Sequence, residues 1–468
     1  MSDLDSVSYG CTIKGLSLFS DTAPAVVALA ATSVLGGLAG PQSGISDRYH
    51  SVLARTGFSG LVMGLDNPEW CSCQQVLLGP VEAAARQLRE LSQTVDQNEM
   101  ERVRSGKPDV FSTQRLIEHL KNPASHDDGD DWSVINGKRA FSVLRQPTLA
   151  LCAPTPDSFV AGAEEALDGE VLVTYPDGSL LPHLLDRKAE RQWTKFGDSL
   201  ADAVAGGARV FSKPKKYGTS RVWPIRTTLF STCSRRQLEA ALFSEVQAVQ
   251  RLLQGCWIID PSQERGTWGK VDPNVIGWAC KAYREAVDRI VPARRSGQGL
   301  SFEIPWPVQE KLMTGIQKLQ TEIVANISPE LMPFFRRWRS LPYQILWTLI
   351  VLTTNTDDSD AHIPTTLYLT KSLLMGQHDL LQMIINDERA RRQAQARELM
   401  LGKLTLCGPC SFRELMHHYS VQRKELHAPV LRELIVEGKV IEHPDGRLEA
   451  VKKKPALSAI GSVTECQS

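Results

Sequence analysis

A glycine-led loop between an apolar run and a long helical pattern is the first place where this chain could bind a phosphate. Residues 59–63 have the length and composition of a strand, Gly64 follows them, and residues 72–91 carry apolar residues at helical spacing. A P-loop, GxxxxGK[ST], occupies such a position because its backbone N–H groups and lysine surround the phosphates while its hydroxyl binds magnesium. Residues 64–72 are therefore the candidate nucleotide loop.

Only the first glycine of that motif is present. Counted from Gly64, Glu69 stands at the position of the second glycine, Trp70 at that of the lysine and Cys71 at that of the Ser or Thr. Ser72 follows. Pro68 also removes one N–H donor. Because two acids and an indole would repel or exclude a triphosphate, the sequence predicts a degenerate nucleotide loop.

A basic segment in the middle of the chain is a second candidate site, here for nucleic acid. Clustered Lys and Arg attract phosphates, and aromatic neighbours such as Tyr217 and Trp223 can stack on bases. An ordinary solvated loop is the alternative interpretation. The basic residues are Lys213, Lys215, Lys216 and Arg221.

The elements that must hold these residues alternate between short apolar runs and helical patterns. Strand-length runs occupy residues 59–63, 148–152, 171–174, 227–230 and 256–259. Helical patterns, such as residues 156–167 and 235–253, lie between them. This alternation predicts an α/β domain with a largely parallel sheet and helices on its faces.

Two other segments are predicted to be helical. Residues 275–378 show helical patterns, which indicates an all-α extension after the α/β domain. Residues 22–40 carry no charge, but they are rich in Ala, Gly, Ser and Thr and begin near Pro24. A buried helix is therefore preferred over a membrane span, and no membrane partner is expected.

The end of the chain has the pattern of a winged helix. A charged helix over residues 388–404 is followed by Ser411 and Glu414, whose spacing is that of a capping box that starts a short helix through His418. A second helix over residues 422–437 ends before Gly438, and a hairpin turns at residues 443–446. Three helices and a hairpin predict a winged helix.

In such modules the second helix of the helix-turn-helix enters the major groove and the wing follows phosphates. DNA is therefore an expected partner, although many winged helices only pack against a neighbouring domain. The candidate contacts are Gln422, Arg423, Lys424 and His427 on the helix, with Arg447, Lys452 and Lys453 by the wing.

Taken together, these features resemble the YfjI-like family of bacterial, plasmid and phage proteins. The resemblance rests on the Ala-rich residues 24–37, the strand-loop-helix around Gly64, residues 154–159, the segment VLVTYPDGSLL at 171–181 and the C-terminal pattern. The family consists of RecA-like P-loop ATPases related to replicative helicases and often found with primases. The resemblance implies a RecA-like core, a role in mobile-element replication, and association with further copies or with active ATPase relatives.

The chain departs from the family pattern at three places in the same site. Besides the loop, the family's Asp-Glu pair after a strand reads Pro176-Asp177 here, which leaves Asp177 as the single acid. The family also tends to carry an arginine in a Gly-Leu-x-x-Arg-Phe-like run. Residues 253–257, at the corresponding place in this chain, contain no arginine. These departures predict a pseudo-ATPase that needs no cofactor, whereas an active ATPase would require ATP and magnesium.

The composition of the chain restricts the remaining functions and cellular locations. The 53 basic and 53 acidic residues cancel, so a nucleic-acid role depends on local patches. Ten cysteines without an export signal favour a reducing cytoplasm over a disulfide framework. The Cys-Gly-Pro-Cys at 407–410 lacks the preceding strand of thioredoxins, so neither redox chemistry nor a zinc set with Cys71 and Cys73 is preferred.

The predicted organisation has five parts. A helical segment covers residues 1–55, a RecA-like α/β domain 56–265, a helical domain 266–380, a winged helix 381–455 and a flexible tail 456–468. Three hypotheses follow: a nonenzymatic scaffold whose winged helix binds DNA or a partner, an active ATPase of atypical design, and a pure protein-interaction module.

Overall fold

A computed structural model describes residues 11–19, 22–49, 51–104, 148–164, 169–186, 191–205, 208–211, 222–262, 273–295, 299–353, 359–416 and 421–451. The chain forms two compact units, Met1–Leu380 and Leu381–Ser468. The first unit is mixed α/β, as predicted, and the second combines helices with a small antiparallel sheet.

The first unit alternates strands and helices along the chain. Its strands are β1 (Gly44–Ser46), β2 (Val52–Arg55), β3 (Ser59–Val62), β4 (Ala150–Cys152), β5 (Glu170–Tyr175), β6 (Ala208–Phe211), β7 (Val222–Thr232), β8 (Cys256–Ile259) and β9 (Ser301–Glu303). Its helices are α1 (Cys11–Phe19), α2 (Pro24–Ala39), α3 (Pro68–Arg104), α4 (Pro156–Glu164), α5 (Leu180–Leu185), α6 (Arg191–Ala205), α7 (Arg235–Leu242), α8 (Gln247–Gly255), α9 (Pro273–Arg295), α10 (Trp306–Glu322), α11 (Leu341–Thr353) and the first part of α12 (Ile363–Cys407). Short 3-10 turns lie at Val324–Asn326, Met332–Phe335, Trp338–Ser340 and Ser359–His362.

Five parallel strands form the main sheet in the order β4-β5-β7-β3-β8, and β6 pairs antiparallel with the start of β7. The register places Gly60 opposite Phe230 on one side and Trp257 on the other. Every residue of β3, β5 and β8 is buried, as expected for strands covered by helices on both faces. Continuous apolar runs had predicted all five of these strands, and those predictions are confirmed.

Helix α2 is buried along nearly its whole length and packs on β3, β5 and β7. This confirms the buried helix predicted for residues 22–40. None of the helices in the described ranges is long and apolar enough to cross a membrane.

The helical pattern predicted over residues 235–253 forms two separate helices, α7 and α8, with a break between them. Ser234 caps α7 through a capping box with Gln237. The Gln250 side-chain amide donates to Ala241 O and Leu242 O at 2.9 and 2.8 Å. These bonds satisfy carbonyl oxygens at the end of α7 and hold the break in place.

The extension after the main sheet is not purely helical, which corrects the all-α prediction. Strand β9 pairs in parallel with β1, with Gly44 opposite Ser301, and β2 pairs antiparallel with β1. This second sheet joins segments more than 250 residues apart in the chain. A three-residue strand has too few residues to show a period, so local patterning could not predict it.

The second unit contains the rest of α12, β10 (Cys410–Ser411), α13 (Phe412–Met416), α14 (Val421–Val436), β11 (Val440–Glu442) and β12 (Arg447–Ala450). The sheet order is β10-β12-β11, antiparallel throughout. Its core is a cluster of apolar side chains from all three helices and the strands, which includes Met400, Leu415, Leu434 and Leu448.

The capping box and the glycines predicted at the ends of these elements have the expected geometry. Ser411 N–H donates to Glu414 Oε2 at 2.8 Å and Glu414 N–H donates to Ser411 Oγ at 3.2 Å, which forms the capping box. Gly438 has a φ of 68° and ends α14, with Lys439 N–H donating to Leu434 O at 2.9 Å. Gly446, with a φ of 78°, closes the hairpin.

Candidate functional site

The carboxyl ends of the parallel strands bring the candidate nucleotide loop beside two other loops. In the strand order, the next described strand after β3 is β4, which lies in one direction along the sheet, whereas β8, the next after β7, lies in the other direction. The neighbours β3 and β7 thus form a topological switch point, the usual place for a ligand crevice. Leu65 N–H donates to Cys233 O at 3.2 Å, and Gly178 packs on the Leu65 side chain.

The first turn of α3 has its N–H donors already occupied. Asn67 is the N-cap: its Oδ1 accepts from Glu69 N–H at 2.9 Å and from Trp70 N–H at 3.1 Å. The Asn67 carbonyl accepts from Cys71 N–H at 3.1 Å, and Pro68 has no N–H. A P-loop binds phosphate with these same groups. The helix start therefore offers a phosphate no free backbone donor among these four positions.

Trp70, at the motif position of the lysine, fills the space inside the loop. Its side chain is 0% exposed and its ring meets Phe230 edge to face, with centroids 6.1 Å apart. The indole Nε1 donates to Thr232 Oγ1 at 3.4 Å, and that hydroxyl donates to Gln74 Oε1 at 3.3 Å. A Cβ built on Gly64 would lie 2.5 Å from Trp70 Cδ1. The loop is therefore closed by packing as well as by capping.

The acids at this edge of the sheet serve local turns. The exposed Asp177 accepts through Oδ1 from Ser179 N–H and Ser179 Oγ, at 3.1 and 2.8 Å. Asp260, after β8, accepts from Ser262 N–H and Ser262 Oγ at 2.8 and 2.6 Å. Within the described ranges, no three His, Cys, Asp or Glu side chains come together as a metal site.

Burial suppresses the reactivity of two thiols of the main sheet, Cys233 after the carboxyl end of β7 and Cys256 at the start of β8. Desolvation, followed by the charge of Asp260, raises the pKa of Cys233 well above its ordinary range. Burial also raises the pKa of Cys256 to about 12. The motif residues Cys71 and Ser72 are exposed on α3 and point away from the packed interior. Neither buried thiol is a nucleophile at neutral pH.

The Cys-Gly-Pro-Cys segment differs from a redox motif in its placement. Cys407 ends α12 instead of starting a helix, and Cys410 lies in β10. Burial, followed by the nearby Cys407, raises the pKa of Cys410. In thioredoxins the first cysteine heads a helix whose N-terminus activates the thiol, so the position of Cys407 at the end of α12 argues against the same role.

The second unit places part of the predicted nucleic-acid contacts on one helix. Gln422, Arg423, Lys424 and His427 lie in the first two turns of α14, where the structure describes the backbone. Lys213, Lys215, Lys216 and Arg221, together with Lys452 and Lys453, lie outside the described residues.

The described part of the hairpin is more acidic than the sequence prediction assumed. Arg447 Nε lies 3.5 Å from Asp445 Oδ2, and Arg447 N–H donates to Asp445 Oδ1 at 3.0 Å. Glu449 lies 3.0 Å from His443 Nε2, and Glu442 is exposed nearby. Arg447 is therefore partly neutralised by Asp445 of its own hairpin.

Sequence analysis did not identify Asn67, whose side chain occupies backbone N–H donors at the start of α3. The signal was present, because Asn followed by Pro is typical of an N-cap and the first helical position. The burial of Trp70 had no comparable local signal, since it depends on Phe230 and Thr232 from a distant strand.

No protein-family model matches the chain, and no curated protein matches it significantly.

Proposed function

We propose that this chain is a nonenzymatic, nucleic-acid-associated scaffold protein. In this proposal the α/β core has a RecA-like fold that has lost its nucleotide site, and the second unit is a winged helix that binds DNA. The occupied N–H groups at the start of α3 carry the proposal, because Asn67 supplies internally what a phosphate would supply from outside.

The RecA-like assignment is supported by the sheet. The strand before the loop, β3, lies inside five parallel strands, and its neighbour β7 separates it from β5, whose end carries Asp177. The loop and the acid thus meet at one edge, as a nucleotide site would require. Asp177 bonds to Ser179 instead of projecting freely, which supports loss of magnesium binding.

The winged-helix assignment is supported by three helices followed by an antiparallel hairpin around one apolar core. The basic residues in the first turns of α14 correspond to the positions that enter the major groove in such modules. DNA is the proposed partner, with further copies of the chain or active ATPase relatives as companions in mobile-element replication. The free buried thiols Cys233 and Cys256 support a reducing, cytoplasmic location.

The nucleotide part of the proposal is tested with a fluorescent ATP analogue and magnesium, with and without DNA. We expect no magnesium-dependent saturation at high micromolar analogue. Saturable binding that requires magnesium would contradict the proposal and favour an active ATPase with an atypical loop. The DNA part is tested by fluorescence anisotropy over a salt series, where phosphate contacts give a steep loss of affinity with salt.

A pure protein-interaction role is the second candidate, and the hairpin favours it. Val436, the last residue of α14, is 87% exposed and Ile441 in β11 is 49% exposed, and the hairpin also carries the acids Glu442, Asp445 and Glu449. Exposed apolar side chains next to acids suit a protein surface better than a phosphate backbone. Absence of DNA binding at low salt, together with self-association on sedimentation, would favour this candidate.

A further inference from the structure

A cavity of about 360 Å³ lies at the opposite edge of the main sheet, at the amino ends of its strands. Residues at the starts of β3, β5 and β8 line it together with the parallel part of β7 and residues 334–344 of the extension. Its size falls within the range of small-molecule sites. It shares no residue with the closed loop at the carboxyl edge.

The cavity is positively charged. Three arginines, Arg55, Arg226 and Arg337, line it, and Glu170 is the only acid among its described lining residues. The guanidinium groups of Arg55 and Arg226 have no hydrogen-bond or ion-pair partner within the described ranges. Arg337 is held in place, because its Nη1 donates to Val204 O at 2.8 Å and its Nη2 donates to Ala205 O.

Two buried polar atoms belong to residues that line the cavity and lack a partner. Thr227 is 5% exposed and Gln344 is 6% exposed, and neither Thr227 Oγ1 nor Gln344 Oε1 has a hydrogen bond among the described residues. Gln344 Nε2 donates to Arg55 O at 3.0 Å and to Gly57 O at 3.2 Å. Carbonyl oxygens only accept, so this side chain is fixed with its oxygen free to accept from a ligand.

Leaving a buried polar atom unpaired costs free energy, so native proteins nearly always satisfy such atoms. The unpaired polar atoms that line the cavity are complementary to two kinds of ligand group, hydroxyls and phosphates. Gln344 Oε1 requires a donor and Thr227 Oγ1 can donate or accept, which suits ligand hydroxyls. Unpaired guanidinium groups suit a phosphate, which they bind through charge-assisted hydrogen bonds.

We propose that this amino-edge cavity, lined by Arg55, Thr227, Arg226, Arg337 and Gln344, binds a small phosphate ester that carries hydroxyl groups. The phosphate contacts the arginines, and the hydroxyls bond to Thr227 Oγ1 and Gln344 Oε1. Sugar phosphates have this chemistry and fit the volume. The site is independent of the closed loop at the other edge of the sheet.

Isothermal titration of the full chain with ribose 5-phosphate and glucose 6-phosphate tests this site, with the unphosphorylated sugars as controls. Concentrations up to about 10 mM detect dissociation constants near 1 mM. We expect saturable one-to-one binding of at least one phosphate ester without magnesium, and none of the parent sugars. Absence of binding for both esters overturns the proposal.

The variant Arg55→Ala/Arg226→Ala locates the binding. Among the described residues neither guanidinium group has a partner to lose, so we expect the fold to be retained while affinity falls about tenfold or more. Arg236→Ala, on the exposed surface of α7, is the charge-matched control and leaves affinity unchanged. Thr227→Val removes a hydroxyl without changing side-chain volume and weakens binding without lowering the melting temperature. Equal affinity in the double variant and the control also overturns the proposal.

Discussion

Trp70 packs so closely on Gly64 that a Cβ at Gly64 would lie 2.5 Å from Trp70 Cδ1 and 2.7 Å from Cγ. The residue at the lysine position of a P-loop thus belongs to the hydrophobic core and holds its own loop closed. Opening this loop for a phosphate would expose the indole and break its contact with Phe230. Closure is therefore a property of the folded core.

Replacement of Trp70 by Ala should strongly destabilise the first unit. The side chain is 0% exposed, and removal of a buried large side chain leaves a cavity that costs about 3–5 kcal/mol. Urea denaturation followed by circular dichroism measures the loss. Trp278→Ala is the matched control, because Trp278 is 47% exposed and its removal should cost less than about 1 kcal/mol. Equal losses for the two variants would show that Trp70 is not a core residue.

Gly64→Ala and Gly277→Ala should change stability in opposite directions. The new methyl group at Gly64 meets Trp70 and also Pro261 at 3.1 Å, so overpacking should cost about 1–3 kcal/mol. Gly277 lies inside α9 with nothing within 4 Å of a Cβ, so alanine should stabilise the helix by about 0.5–1 kcal/mol. Melting temperatures compare the pair, and a stabilised Gly64→Ala variant would contradict the close packing.

Arg423→Ala combined with Lys424→Ala should weaken DNA binding if α14 enters the major groove. Loss of two cationic side chains at the start of the helix should reduce affinity by about tenfold or more and make its salt dependence shallower. Fluorescence anisotropy at several salt concentrations gives both quantities. Arg432→Ala, exposed further along the same helix, is the control. Unchanged affinity at low salt would remove the proposed helix contacts.

The sequence predicts elements whose determinants are local. The strand β8 has the predicted bounds, Cys256–Ile259, because a continuous apolar run is enough to identify a strand buried on both faces. The Ser411–Glu414 capping box is likewise contained in four residues. Elements of this kind need no knowledge of the rest of the molecule.

Features that depend on distant contacts could not be predicted in this way. The pairing of Gly44 with Ser301 joins two segments with no periodic signal. The break between α7 and α8 depends on a side-chain amide, Gln250, that reaches back to three carbonyl oxygens. The two sites show both cases: the motif losses around Gly64 are visible in the sequence, whereas the arginine cavity is assembled from six separate segments.

Stability should fall with alkaline pH, in part because of Cys256. Burial raises the pKa of this thiol from 9.0 to about 12 in the folded protein, while the unfolded chain releases the proton near pH 9. Between these values the unfolded state binds fewer protons, so the free energy of unfolding decreases as pH rises. The contribution is complete below pH 9 and is lost progressively above it, by at most about 1.4 kcal/mol per pH unit.

Cys256→Ala separates this contribution from those of other alkaline groups. The variant should show a pH-independent loss from the missing sulfur and a shallower decrease in the free energy of unfolding between pH 9 and 10.5, measured by urea denaturation. Cys71→Ala removes an exposed thiol and should retain the wild-type slope. If Cys256→Ala and wild type lose stability at the same rate over this range, burial at the start of β8 does not keep the thiol protonated.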